Sequence, residues 1–210
     1  MDRVQVTRLL LVATILYVIG FYFVGSAIKP GYSQWLNFVS EYNATGTPWA
    51  GTLTYAGFAA TAVLSSLFLI AAAPLTAVCG LSRFGFWLLW CIPASYLLSV
   101  AFPCDAGCPV EGSISQLLHN AFGILVYLGM GLGVALVSLA PGFSSFKWRR
   151  FFLLFTGIAF PVVFFAMVQP DLTLWRGMLQ RSLDAAMAAS LIMMAWTITG
   201  RAERTRQDLA

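Results

Sequence analysis

The sequence contains LLLVATILYVIGFYFVGSAI at residues 9–28, a stretch with no charged residue between Arg8 and Lys29. A helix that crosses a hydrocarbon core of about 30 Å needs about 20 mostly apolar residues. This stretch therefore predicts a membrane-spanning helix. In lipid the backbone must satisfy its own hydrogen bonds, which favours helices here over the alternating strands of a barrel.

The composition of the whole chain agrees with a lipid environment. Of its 210 residues 60% are hydrophobic and 10% are charged, and the mean hydropathy is +0.82. A soluble domain carries about 25% charged residues because its surface faces water. The net charge of +4 comes without a basic stripe interleaved with aromatics, so nucleic acid is excluded as a partner.

The spacing of charged residues along the rest of the chain predicts five further spans. They cover residues 50–75, 84–102, 115–140, 151–168 and 178–200. The last span carries Arg181 and Asp184 in its first turns, because its uncharged stretch begins only at Ala185. We therefore expect an all-α fold, a bundle of six transmembrane helices that forms a single membrane domain over residues 1–210.

The distribution of Lys and Arg predicts the orientation of this bundle, because short cytoplasmic loops are enriched in both. One side holds nine of them: Arg3, Arg8, Arg83, Lys147, Arg149, Arg150, Arg201, Arg204 and Arg206. The other side holds Lys29, Arg176 and Arg181. Both termini are thus predicted to be cytoplasmic. A cleaved signal peptide is the alternative for the first span, although its apolar run exceeds the roughly 7 to 15 residues of a signal core.

Polar residues collect at the predicted outward end of the bundle. A helix places residues i and i+4 on one face, so Ser115 and His119 share a face. Further hydrogen-bonding and charged groups lie at the same end of the bundle. They belong to the first, third and fifth loops and to the helix starts that adjoin them. The candidate site residues are Ser40, Glu41, Asn43, Asp105, Ser115, Gln116, His119, Asn120, Arg176, Arg181 and Asp184.

For two of these features a purely structural role is an alternative to a functional one. Arg181 and Asp184 are ionisable groups in a spanning helix, which are costly unless they are paired or line a cavity. They form either a structural ion pair or part of a ligand site. His119 is the only histidine of the chain, and it is either a functional group or an interfacial side chain bonded to a neighbouring carbonyl.

Four short motifs resemble a known family. They are Ser40-Glu41 before the second span, Phe102-Pro103-x-Asp105, His119 at the start of the next helix, and Gly177-x-x-x-Arg181. Together they resemble the domain of unknown function 998 family over nearly the whole chain. The resemblance implies a six-span protein of the bacterial or archaeal cytoplasmic (inner) membrane with no settled activity. There is a looser similarity to the Frag1/DRAM/Sfk1 group, which is linked with lipid organisation.

The cysteines limit metal and cofactor chemistry. Cys104 and Cys108 flank Asp105 in a loop predicted to face an oxidising compartment, where such a pair is more often a disulfide than a zinc site or two free thiols. Gly107 lets so short a loop fold back until the sulfurs meet. A bis-histidine haem needs two histidines, and this chain has one. We therefore expect no metal and no cofactor.

Three functions remain open from the sequence. The leading one is a membrane protein whose outward polar pocket binds a lipid headgroup or other amphiphile. Arg176 and Arg181 would contact an anionic group of this ligand. The protein would act as an accessory subunit of a complex with a protein partner, or as a homo-oligomer. The second is a lipid hydrolase or transferase with His119 as general base, Glu41 or Asp105 as its carboxylate and Ser40 or Ser115 as nucleophile. The third is a purely structural packing subunit.

Overall fold

The computed structural model describes the backbone of residues 1–207 and the side chains of residues 1–197. It is all-α, as predicted. Six long helices dominate this part of the chain, and a short 3₁₀ turn, Val39–Asn43, lies in the first loop. The helices are α1 (Arg3–Ile28), α2 (Ala50–Leu75), α3 (Gly80–Ala101), α4 (Ile114–Val137), α5 (Lys147–Met167) and α6 (Arg176–Gln207).

Five of these helices, α1 to α5, are long and apolar enough to cross a membrane. The chain is therefore a multi-pass membrane protein. The charge-free stretches of the sequence overlap these helices, although α1, α3 and α5 begin several residues earlier and so include charged residues. Helix α6 is not among the five, and its side chains are described only as far as Thr197. That α6 also crosses the membrane stays a prediction.

The helices form a closed ring in the order of the chain. Each helix packs against the next, and α6 packs against α1. Gly133 of α4 lies against the backbone of Gly85 in α3, where an added Cβ would come within 3.1 Å of the Gly85 carbonyl oxygen. On the other side of α4, Gly131 faces the carbonyl oxygen of Gly157 in α5, at 2.9 Å from an added Cβ. Small residues thus let α4 approach both neighbours closely.

Helix α3 is interrupted at Leu89 and Trp90, where two turn residues separate its halves. Pro93 explains the interruption, because it has no N–H to donate to the carbonyl of Leu89 four residues earlier. Pro161 lies inside α5 without interrupting it.

Successive helices run in opposite directions, so the loops at 29–49, 102–113 and 168–175 lie at the same end of the ring. Backbone hydrogen bonds join them there: the Thr45 amide donates to the Cys104 carbonyl at 2.8 Å, and the Gly177 amide donates to the Trp35 carbonyl at 3.0 Å. We call this end of the bundle the site end. It is the end that the sequence predicts to face outward.

Candidate functional site

Glu41 holds the first loop together at the site end. Its side chain is only 6% exposed. Its Oε1 accepts from the Phe38 amide at 2.8 Å and from Nη2 of Arg176 at 3.0 Å, and its Oε2 accepts from Nδ2 of Asn37 at 2.8 Å. The 3₁₀ turn that carries Ser40 and Glu41 is therefore tied to the start of α6 by an ion pair in which Glu41 is buried and Arg176 is partly exposed.

The start of α6 is joined to the same loop through two arginines. Arg176 donates through Nε to the Leu36 carbonyl at 2.8 Å, and its guanidinium lies 4.6 Å from the ring centre of Phe38. Arg181 donates through Nη1 to the carbonyls of Gln34 at 2.9 Å and Asn37 at 3.2 Å. These contacts are possible only because loop and helix approach closely.

Gly177 permits this approach. A Cβ at this position would lie 2.5 Å from the carbonyl oxygens of Gln34 and Asn37 and 2.9 Å from that of Trp35. The neighbouring atoms are backbone, so they cannot move aside as a flexible side chain would. The Gly177-x-x-x-Arg181 motif is therefore the part of α6 that fits against the first loop.

The loop at 102–113 is fixed on the first turn of α4 by a second set of hydrogen bonds. Asp105 accepts from the Ser113 amide at 2.8 Å and from the Ser113 hydroxyl at 2.9 Å, and its own amide donates to Oε1 of Gln116 at 2.8 Å. Gln116 is fully buried and also donates to the Pro109 carbonyl at 2.7 Å. Asn120 donates to the carbonyls of Pro109 and Val110.

Cys104 and Cys108 form the predicted disulfide, with their Cα atoms 5.1 Å apart. The Thr45 amide donates to the carbonyl of Cys104, and the Ser40 hydroxyl lies 3.3 Å from the Cys108 sulfur. The two sulfurs and a ring nitrogen of His119 lie within 4.8 Å of one another. The disulfide therefore lies between the first loop and the start of α4, beside His119.

A cavity of about 510 Å³ lies inside the ring of helices. Its volume is in the range of small-molecule sites, about 300–1,000 Å³. The wall near the site end is polar and the wall deeper in the bundle is apolar. The polar end is lined by Tyr22, Ser40, Ser95, Tyr96, Ser99, His119, Tyr127, Gln180, Arg181 and Asp184.

The deeper wall is built mainly from aliphatic and aromatic side chains, including Leu11, Phe68, Leu69, Ile92, Val126, Met130, Met187 and Leu191. Two of its hydroxyl residues satisfy themselves within their own helices. Thr14 donates to the Leu10 carbonyl at 2.7 Å, and Ser65 donates to the Thr61 carbonyl at 2.7 Å. The cavity as a whole is amphipathic along the axis of the bundle.

The sequence-predicted site residues fall into two groups in the structure. One group lines the cavity: Ser40, His119, Arg181 and Asp184. The other group holds the loops and helix starts in place through its hydrogen bonds: Glu41, Asn43, Asp105, Ser115, Gln116, Asn120 and Arg176. In this second group Asn43 donates to the Ser99 carbonyl and Ser115 to the Pro103 carbonyl, both at 2.8 Å.

His119 is oriented by a backbone carbonyl. Its Nδ1 lies 2.9 Å from the Phe102 oxygen, and because a carbonyl can only accept, Nδ1 carries the proton and Nε2 is left as an acceptor. Among the described residues no carboxylate and no serine hydroxyl hydrogen-bonds to this imidazole. Glu41 and Asp105 have the other partners described above. The nucleophile–base–acid geometry of a hydrolase is therefore not assembled in this arrangement.

Arg181 and Asp184 have separate partners. Besides the loop carbonyls, Arg181 donates through Nη1 to its own helix at Gly177 and through Nη2 to the Tyr32 hydroxyl at 2.6 Å. Oδ2 of Asp184 accepts from the Tyr22 hydroxyl at 2.7 Å. Within the described residues the two side chains form no direct ion pair; the ion pair at the site end is that of Arg176 and Glu41.

Several residues that matter for this geometry were missed by reasoning from the sequence. Gln180 accepts from the Val39 amide at 2.6 Å and donates to the Tyr127 hydroxyl at 2.9 Å. Tyr22 and Tyr96 line the same end of the cavity. The sequence signal for the two tyrosines is their position well inside apolar spans, because a buried tyrosine hydroxyl usually has a hydrogen-bond partner.

From the sequence Lys29 is predicted to end the first span and to lie on the outward side, without a part in the site. Its ammonium group donates to the Tyr42 carbonyl at 2.8 Å and to the Thr47 hydroxyl. Burial lowers the pKa of this lysine, and the charge of Glu41 opposes that shift. Lys29 thus closes the first loop over α1.

A family model described as "Protein of unknown function (DUF998)" matches residues 11–197. The match covers most of the chain, from the first span to the last described side chain of α6. The chain therefore belongs to the DUF998 family. No curated protein and no solved structure matches it.

Proposed function

We propose that this DUF998 protein is a six-span protein of the cytoplasmic membrane, with both termini in the cytoplasm, that binds a lipid or other amphiphile in the cavity at the centre of its helix ring. The observation that carries the proposal is the amphipathic cavity of about 510 Å³. Its polar end would receive a headgroup, and its deeper wall would receive an acyl or alkyl chain.

The shape and chemistry of the wall favour an amphiphile over a small polar solute. A sugar or an inorganic ion would leave the deep apolar wall without a partner, whereas a simple hydrocarbon would leave Asp184 and His119 facing an apolar group. Burying a polar group without a hydrogen bond is unfavourable. A molecule with one polar end and one apolar end satisfies both regions.

The cavity also has a route from the bilayer. Ile19 on α1 and Ile192 on α6 both line the cavity, yet they are 46% and 41% exposed, and Ala185 of α6, which also lines the cavity, is exposed as well. Residues that line a cavity and face the surroundings lie at an opening. This opening lies between α1 and α6, so an amphiphile can pass in sideways from lipid without crossing water.

The loops over the site end support a binding role because they are held rigidly. Glu41, Arg176 and the Asp105–Gln116 contacts tie two loops over the cavity to the starts of α6 and α4. A pre-organised pocket spends less free energy on ordering when its ligand binds. The catalytic alternative has less support, because His119 is oriented by a carbonyl rather than by a carboxylate.

The proposal is tested by native mass spectrometry of the protein purified in a mild non-ionic detergent. We expect wild-type protein to carry a bound lipid or amphiphile. Ala188 lines the cavity one helical turn below Asp184, so Ala188→Phe fills the space of the chain and should abolish the bound mass. The matched control is Ala13→Phe, because Ala13 is exposed on α1 outside the cavity wall.

Two outcomes would contradict the proposal. One is wild-type protein that carries no lipid and takes up no added amphiphile. The other is an equal loss or an equal retention of bound lipid in the Ala188→Phe and Ala13→Phe variants. Thermal unfolding of both variants establishes that each is folded. A protein partner or a second copy of the chain would appear in the same spectra as an added polypeptide mass.

A further inference from the structure

We infer that the headgroup taken by this cavity is cationic, an ammonium group that pairs with Asp184. The inference rests on the proposed function and specifies its ligand. At the polar end of the cavity most hydrogen-bond donors already have partners within the protein, whereas several acceptors do not.

Most of the donors at this end are already engaged. Arg181 directs Nη1 and Nη2 to three carbonyls and the Tyr32 hydroxyl, whereas its Nε has no hydrogen-bond partner and is buried out of reach of a ligand. The amide of Gln180 donates to Tyr127, and the Tyr22 hydroxyl donates to Asp184. An anionic headgroup would find the guanidinium at this end turned towards the first loop.

The acceptors, in contrast, remain available. The described residues make no hydrogen bond to Oδ1 of Asp184, and Nε2 of His119 is an acceptor because Nδ1 donates to Phe102. The hydroxyls of Ser95 and Ser99 donate to carbonyls of their own helix, at 2.7 and 2.9 Å, which leaves their lone pairs free. Apart from the hydroxyls of Tyr96 and Tyr127, this end of the cavity offers acceptors, and an ammonium group is a pure donor.

The surroundings of Asp184 also suit a positive charge. An isolated carboxylate at membrane depth is costly unless it is paired, and Arg181 makes no direct ion pair with it. Tyr96 lines the cavity near this carboxylate, and aromatic faces attract cations. The ring of Tyr22, on the same wall, already has the guanidinium of Arg181 at 5.6 Å from its centre. An ammonium headgroup would therefore give the Asp184 carboxylate the direct ion pair that Arg181 does not make.

The test compares three probes of equal chain length, dodecylamine, dodecanol and dodecyl sulfate, on the full-length protein in dodecyl maltoside near neutral pH. Dodecylamine is charged there, because alkylammonium groups titrate near the lysine value of about 10.4. We expect wild-type protein to bind dodecylamine about tenfold or more tightly than dodecanol, and dodecyl sulfate most weakly. Bound mass in native spectra and the shift of the unfolding temperature give the ranking.

Asp184→Asn keeps an acceptor for Tyr22 but removes the charge. It should lose the preference for dodecylamine while binding dodecanol as wild-type protein does. The control is Asp171→Asn, which removes an exposed carboxylate from the loop at 168–175 and should change nothing. If Asp184→Asn does not fold, the ranking of the three probes on wild-type protein still decides the question.

Each result is informative. Equal binding of all three probes, or strongest binding of dodecyl sulfate, overturns the inference and leaves the amphiphile cavity standing. An unchanged preference for dodecylamine in Asp184→Asn also overturns it. If wild-type protein binds none of the three, the proposed function itself fails.

Discussion

Replacing Gly177 by alanine should loosen the contact between α6 and the first loop. The added Cβ would lie 2.5 Å from two backbone carbonyl oxygens and 2.9 Å from a third. Overpacking costs about 1–3 kcal/mol, and three rigid backbone neighbours place this site at the upper end, about 3 kcal/mol. The higher helix propensity of alanine returns about 1 kcal/mol. We expect a net loss of about 2 kcal/mol.

The assay is thermal unfolding followed by tryptophan fluorescence in detergent. One kcal/mol shifts the unfolding temperature by about 2–4 °C for a chain of this size, so Gly177→Ala should unfold about 4–8 °C below wild-type protein. Trp35 and Trp175 report on the same junction, because their ring centres lie 5.7 Å apart. Their emission in the variant should shift at temperatures where wild-type emission is unchanged.

The control is Gly20→Ala on α1, where nothing lies within 4 Å of an added Cβ. This variant gains helix propensity without a collision, so it should unfold at the wild-type temperature or slightly above it. A Gly177→Ala protein as stable as Gly20→Ala would refute the close approach of α6 to the first loop, and with it the positions of Arg176 and Arg181.

Two further predictions concern the site end. Alkylation of unreduced, denatured protein should label the free cysteines Cys79 and Cys91 alone, and labelling should extend to all four after reduction; four labels without reductant would disprove the disulfide. Glu41→Gln removes the charge that pairs with Arg176, whose side chain is 22% exposed, so it should cost about 1–3 kcal/mol of unfolding free energy, as for the loss of a charged hydrogen bond. The exposed Glu111→Gln should cost nothing measurable by the same denaturation assay, and equal effects of the two changes would argue against the ion pair.

The helices were predictable from charge spacing, and the reason is physical. A charged residue inside lipid is costly, so Lys29 and Arg83 mark places where a span must have ended or has not begun. Helix α1 ends at Ile28, next to Lys29, and α3 begins at Gly80, so that Arg83 lies in its first turn. The pairing of Cys104 with Cys108 was predictable for a similarly local reason, since the two residues lie in one short loop.

The division of the polar residues into cavity wall and loop support was not predictable. Glu41 and Asp184 are both acidic residues near the site end, and the sequence gives no reason to separate them. Their roles depend on which donors the fold brings near: the arginine at 176 reaches Glu41, whereas Tyr22 reaches Asp184. Such long-range partners are set by the ring of helices and not by local pattern.

The same limit explains the expected role of the two arginines. Reasoning from charge alone assigned Arg176 and Arg181 to an anionic headgroup, because cations at a membrane mouth suit phosphate. In the fold the guanidinium of Arg181 is directed at the carbonyls of Gln34 and Asn37. The cavity then presents the acceptors of Asp184 and His119 to a ligand. For this reason the headgroup that we infer is cationic rather than anionic.

The central claim is that an amphiphile occupies the cavity inside the helix ring, and photo-crosslinking tests it most directly. The probe is a dodecyl amphiphile with a diazirine at the end of its chain. We expect peptide mapping to find adducts on Met130 and Met187 of the deep wall, and an excess of the unlabelled amphiphile should remove them. Adducts on Phe155 and Ile158, which are exposed on α5, should persist under the same competition. Adducts confined to the exposed α5 residues, or cavity adducts that resist competition, would contradict the account.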